Sequence, residues 1–121
     1  MKGGKGPTAG QKRWHTWLAE QGCACCGAAA NIHHCVGSTG KHNKVHIGQD
    51  FVIPLCYDHH QGPGGIHSDA RQLALDWGYG SMSRKQLEKT IFNRLVAVYR
   101  RQRGEYPCPP DVLAAIEGWH R

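Results

Sequence analysis

Leu55-Cys56-Tyr57-Asp58-His59-His60 is followed, after the bend Gly62-Pro63-Gly64-Gly65, by Ile66-His67. One thiol and three imidazoles therefore fall in a single short segment. A hydrophobic core has no use for so many soft donors at this spacing, whereas a bound metal ion does. Two upstream groups carry the same chemistry: Cys23-Ala24-Cys25-Cys26-Gly27 and His33-His34-Cys35. Cys23 and Cys26 have C-x2-C spacing, and Gly27 lets the chain turn so that both thiolates face one ion. Cys56 and His59 repeat the x2 spacing, and two matching halves make a strong zinc signal. Cys25, between the first pair, is expected to point away. Cys35 is the rival for the fourth position, but it sits on a strand rather than in a knuckle.

The rest of the chain sets the frame for this cluster. At 121 residues, 40% of them hydrophobic and with Gly 16, the chain makes one loop-rich domain with a modest core that would gain from a metal staple. Residues 1–10, with Lys2 and Lys5 among glycines, read as a flexible basic tail, and residues 11–121 as the single domain. No run is apolar enough to span a membrane, and the N-terminus lacks the apolar stretch of a signal peptide. The expected compartment is the cytoplasm, where thiols stay reduced, so Cys 6 and His 9 read as ligands before disulfides.

The net charge of +6 favours a polyanionic partner. Basic residues gather late, at Arg84, Lys85, Lys89, Arg94, Arg100, Arg101 and Arg103, against the lone Glu88. The ordinary fate of such a run is a solvated helix face. Beside a nuclease site it would contact phosphates, which supply most sequence-independent DNA affinity.

Local patterning places the motifs on elements. Thr8 is a candidate cap for a helix over Ala9 to Gln21, with Trp14, Trp17 and Leu18 on one buried face and Gly22 ending it. Asn31 to Val36 reads as a short strand whose alternation sends His33 and His34 to opposite sides. Gly37 to Gln49 is a long polar loop whose Lys41 and Lys44 could pass near a nucleic-acid backbone. Phe51 to Leu55 is a second strand, held to a sheet edge or strand end by Pro54. Ser68 is a candidate cap for a helix from Asp69 to Trp77, and Ser83 with Gln86 forms a capping box for a long basic helix. That helix ends before Gly104 and buries Leu87, Ile91, Leu95, Val98 and Tyr99. A terminal helix runs from Asp111 to Trp119, and Cys108 is a half-buried filler. His15, His42, His46 and His120 are expected to be surface imidazoles.

Strand, loop, strand and a ligand-bearing helix, with a C-x2-C knuckle, His33-His34, Leu55-Cys56-x2-His59-His60 and the later His67, resembles the ββα-metal or HNH nucleases. The resemblance covers about residues 20 to 80. The run Pro54-Leu55-Cys56-x2-His59-His60-x-Gly62…Gly65-Ile66-His67 is similar to the phage recombination-enhancement nucleases that depend on RecA filaments. It implies an α+β fold: a small zinc-stabilised ββα-metal, treble-clef-like core with flanking helices. It implies a structural zinc on Cys23, Cys26, Cys56 and His59. It also implies a catalytic ion (Mg²⁺, Mn²⁺ or Zn²⁺) on His33, His60 and His67, with His34 as general base. The expected activity is phosphodiester hydrolysis in DNA, in a phage or prophage setting and directed by RecA filaments. Arg84, Lys85 and Lys89 join Lys41 and Lys44 as candidate DNA contacts.

Two departures from the family pattern bear on these expectations. Gln49-Asp50-Phe51 stands where the family carries an Asn, so Asp50, or Gln49, could orient His34 through its Nδ1–H. His67 lies more than a helical turn beyond His60, so the Gly-Pro-Gly-Gly loop must return it to the ion. The alternative function is a non-catalytic zinc-stabilised module that binds nucleic acid or protein. A complete second ligand set favours the enzyme, and the ordered spacing argues against a zinc-storage or redox protein.

Overall fold

The computed structural model describes residues 6–35, the backbone of 41–42, and residues 45–118. Helix α1 (Ala9–Gln21) starts as its sequence predicts. The Thr8 hydroxyl accepts from the Gln11 amide at 3.2 Å, and Gln11 Oε1 accepts from the Thr8 amide at 2.8 Å. The helix thus takes in Ala9 and Gly10, two positions assigned to the tail, while residues 1–5 lie outside the described residues.

Strand β1 (Asn31–His34) pairs antiparallel with β4 (Val52–Leu55), in the register His33 opposite Ile53 and Ile32 opposite Pro54. Between them β2 (Lys41–His42) and β3 (Val45–His46) form a second antiparallel pair. The stretch expected to be all loop therefore carries a small hairpin; strands of two residues are too short to show alternation in sequence.

After β4 come α2 (Tyr57–His60), α3 (Ile66–Asp76), α4 (Arg84–Arg103) and α5 (Pro110–Glu117). Helix α3 begins earlier than expected, at Ile66, and is broken at Asp69 (φ −156°, ψ 82°). Ser68 does not cap it. The Asp69 carboxylate accepts from the Gln72 amide at 3.1 Å and so caps the longer second part, while the Ser68 hydroxyl donates to Gly62 O at 3.1 Å. Helix α4 has the capping box read from Ser83 and Gln86 and ends at the left-handed Gly104. Its buried face includes Phe92 and Glu88, and Val98 is only partly buried.

Helix α1 packs on β1 and β4, and α4 packs on α3 and β4. Trp14 and Trp17 stack at 5.6 Å between centroids, and Trp14 meets Phe92 and Tyr99 edge-on at 6.0 and 5.5 Å. Phe51 closes the layer against Phe92 at 5.3 Å. Burying these aromatic rings supplies much of the stability a chain of this size can gather. The fold is a small α+β arrangement in which two helices clamp a two-stranded antiparallel sheet. Among the described residues no helix is long and apolar enough to cross a membrane.

Candidate metal centre

The knuckle forms because Gly27 takes φ 78°, a conformation that residues with a Cβ rarely adopt. The Gly27 amide then donates to Cys23 O, and the Cys23 amide to Ala28 O, each at 2.8 Å. The Ala24 amide donates to Pro54 O at 2.9 Å, which seats the knuckle at the end of β4, beside Cys56. Helix α4 clamps it from outside, since Arg94 Nη2 donates to Ala24 O at 3.1 Å.

Cys56 caps α2 with an extended backbone, and His59, one turn on, folds back over it. Cys56 Sγ lies 3.2 Å from His59 Nδ1, Cys23 Sγ lies 3.5 Å from His59 Nδ1, and Cys26 Sγ lies 3.7 Å from Cys56 Sγ. Sulfur and nitrogen donors on one tetrahedral zinc stand about 3.4–3.8 Å apart; the Cys23–His59 and Cys26–Cys56 separations fall in that range and the Cys56–His59 separation lies just below it, so the group is close to a closed four-ligand site. All four ligand atoms fall within 4.8 Å of one another, and all six cysteines are free. The Cys23 thiol is held low, to about 3, first by the Cys25 thiol and then by backbone amides working against burial. Cys25 does not point away as expected: its thiol is hydrogen-bonded to Cys23, which pushes the Cys25 thiol up, and it stays outside the ligand set. Burial pushes the Cys56 thiol up. Residues Cys23, Cys26, Cys56 and His59 can hold a metal ion, and the set suits structural zinc.

A second group gathers His33, His60 and His67, whose ligand atoms also fall within 4.8 Å. Ring centroids are 4.7 Å apart for His33–His60, 5.2 Å for His33–His67 and 4.8 Å for His60–His67. Strand alternation turns His33 inward. The turn of Gly62 to Gly65 brings His67 back, with the Gly65 amide donating to Gly62 O at 2.9 Å. A Cβ on Gly62 would meet Asp58 O at 2.7 Å, and one on Gly65 would meet the His60 carbonyl carbon at 2.9 Å, so the turn needs glycine at both. His60 is held below the ordinary imidazole range by burial and then by His33 and His67; His67 is lowered by burial and then by Arg84. Both rings therefore keep free lone pairs at neutral pH.

Glu88, which no motif of the sequence assigns to the site, joins it in the fold. Its Oε2 lies 2.6 Å from His33 Nε2 and 3.0 Å from Arg84 Nε, and the carboxylate is fully buried. The signal was present: a single acid in a basic helix, three and four residues before Ile91 and Phe92, falls on the buried face and must have a partner there.

His34 is exposed on the other flank of β1, where its ring neighbour among the described residues is His15, at 6.3 Å. Its Nε2 lies 3.3 Å from Gln49 Oε1, and His15 Nε2 holds Gln49 O at 2.6 Å. Gln49, and not Asp50, thus meets His34, and it does so at Nε2 rather than Nδ1. Asp50 is turned into the core, accepting from Gln11 Nε2 at 2.8 Å, with its carboxyl raised by burial. The Trp14 indole also donates to the Asp50 backbone carbonyl at 2.9 Å. Cys108 is fully buried against Asp50 rather than half-buried.

The candidate DNA contacts fare unevenly. Arg84 is engaged by Glu88, Lys89 Nζ donates to Glu117 O at 3.1 Å, and Lys85 is half-buried. These three side chains lie against the protein rather than out in solvent, because their positions flank the buried stripe of α4. Arg94, Arg100, Arg101 and Arg103 are exposed, although Arg94 is also tied to Ala24 O and Arg100 lies 4.0 Å over the Tyr106 ring. Lys44 and the Lys41 side chain lie outside the described residues.

A family model described as a protein of unknown function (DUF968) matches residues 1–95. "Uncharacterized protein YdfU" from Escherichia coli (strain K12) is 36% identical over 74 residues, which is 59% of this chain and 19% of that relative. The matched stretch thus spans about a fifth of the relative's length. No solved structure matches the chain.

Proposed function

The chain belongs to the DUF968 family, and we propose that it is a metal-dependent DNA endonuclease of the HNH (ββα-metal) type. One observation carries the reading. The short helix α2 offers His59 to a Cys/His set of four and His60 to a separate all-histidine set of three. A purely structural module needs the first set and has no use for the second. The order of antiparallel strand pair and ligand-bearing helix supports the same fold type.

The residues divide the work as follows. Cys23, Cys26, Cys56 and His59 hold zinc and tie the knuckle to the start of α2. His33, His60 and His67 bind a second ion through nitrogen alone, a donor set that suits Zn²⁺ or Mn²⁺ better than the oxygen-seeking Mg²⁺. When bound, such an ion offsets charge on the scissile phosphate and stabilises the departing oxygen. His34 donates Nε2–H to Gln49 and is left with a lone pair on Nδ1. It takes a proton from water there, the resulting hydroxide attacks phosphorus, and the bond to one sugar oxygen breaks. Exposed arginines of α4 contact the backbone, and a RecA filament is the proposed guide to the substrate.

A second reading is a zinc-stabilised nucleic-acid- or protein-binding module without hydrolysis. It is favoured by His34, which leaves β1 on the flank opposite His33. One assay separates the two: cleavage of plasmid and single-stranded DNA with Mg²⁺, Mn²⁺ or Zn²⁺, with and without RecA filaments. Wild type should cut, while His34→Ala should bind DNA, keep its zinc and not cut. Binding without cleavage by wild type under every condition would leave the module.

A further inference from the structure

We infer that Glu88 is a positioning residue that fixes His33 with its proton on Nε2, so that His33 offers Nδ1 to the ion shared with His60 and His67. The inference rests on the three-histidine reading above and adds to it the residue that selects the donor atom.

The observation is the 2.6 Å contact between His33 Nε2 and Glu88 Oε2, with the two side chains 1% and 0% exposed. Two donors on one ion at about 2.0–2.1 Å each stand roughly 3 Å or more apart, so this separation belongs to a hydrogen bond and not to a shared metal. His33, Cys35 and Glu88 also come within 4.8 Å of one another. The 2.6 Å contact marks that group as a hydrogen-bonded cluster rather than a third metal site. With Nε2–H given to the carboxylate, Nδ1 is the nitrogen left for an ion.

A carboxylate with no exposed surface is costly unless its lone pairs are taken. Arg84, one turn earlier on α4, donates to the same oxygen at 3.0 Å. Arg84 thereby holds the carboxylate that holds the imidazole. A metal-ligating histidine commonly gives its second N–H to a carboxylate, which fixes ring orientation and raises ligand basicity. Glu88 also ties α4 to β1 through His33, which the β1–β4 pairing holds opposite Ile53.

The test uses the full-length chain, stripped of metal and titrated with Zn²⁺ against a competing chelator. The variants are Glu88→Gln and His60→Ala. Wild type should take two ions, and His60→Ala should lose the weaker one. Glu88→Gln should fill the four-ligand site as wild type does and bind the second ion about 10- to 100-fold more weakly. An unchanged second affinity in Glu88→Gln, with loss in His60→Ala, overturns the role of Glu88 alone. An unchanged second affinity in His60→Ala overturns the three-histidine site and this inference with it. Should Glu88→Gln not fold, the ¹⁵N-histidine spectrum of zinc-loaded wild type decides: a His33 proton on Nε2 supports the role, and a proton on Nδ1 refutes it.

Discussion

His59 and His60 are neighbours in sequence that serve different clusters: His59 Nδ1 lies 3.2 Å from Cys56 Sγ, while the His60 ring sits 4.7 Å from that of His33. Successive residues on a helix point about 100° apart, so a single helical turn divides its two imidazoles between two centres. Small displacements of α2 should therefore act on both clusters, and the following consequences can be measured.

Cys56→Ala removes a ligand of the closed site and the residue from which α2 starts. Zinc content measured by mass spectrometry should fall, and the melting temperature should drop steeply, because ligation energy at such sites is folding energy. Unchanged zinc and an unchanged melt would remove Cys56 from the site.

Gly65→Ala should act on the other centre. Its Cβ would press on the His60 carbonyl carbon at 2.9 Å and on Asp58 O at 2.9 Å, pushing the start of α3, and with it His67, away while His59 keeps α2 on the knuckle. The second zinc affinity should fall at least about tenfold, as expected when a ligand shell is disturbed, with the four-ligand site still filled. Equal loss at both sites would mean that the turn supports the whole fold.

Gln49→Ala leaves His34 without the acceptor at 3.3 Å. Cleavage should slow by about tenfold or more, short of the roughly 10²- to 10⁴-fold that the base itself contributes, while DNA affinity and zinc content hold. A cleavage rate equal to wild type would show that Gln49 does not orient His34.

Asp50 gives a pH prediction. Burial raises its carboxyl above the ordinary range, so the folded state binds this proton more tightly than the unfolded chain. The group's stabilising contribution is present below the ordinary carboxylate pKa and is lost as pH rises through the raised folded value. Asp50→Asn keeps an acceptor for Gln11 without that dependence. Its melting temperature relative to wild type should rise by a few degrees between pH 4 and pH 7. A constant difference across that span would count against a raised Asp50.

Much of the site could be read from residue spacing. The x2 halves Cys23–Cys26 and Cys56–His59, and the alternation at His33-His34, are local patterns with local geometric consequences. The caps at Thr8 and Ser83 were equally legible, since a capping box spans only one turn. Ser68 and Asp69 are adjacent candidates for the same cap, and the choice between them depends on how the Gly62–Gly65 turn enters α3.

What the chain by itself determined is the donor inventory and its grouping: which thiols and imidazoles lie a turn or a strand step apart. Only tertiary structure decided that Glu88 closes on His33, that Gln49 rather than Asp50 faces His34, and that Arg84 and Lys89 turn inward. Glu88 and His33 lie on separate elements and meet only when α4 packs beside the strand pair. The partner of a buried charge is chosen by desolvation across that packed interface, which residue spacing along the chain does not encode.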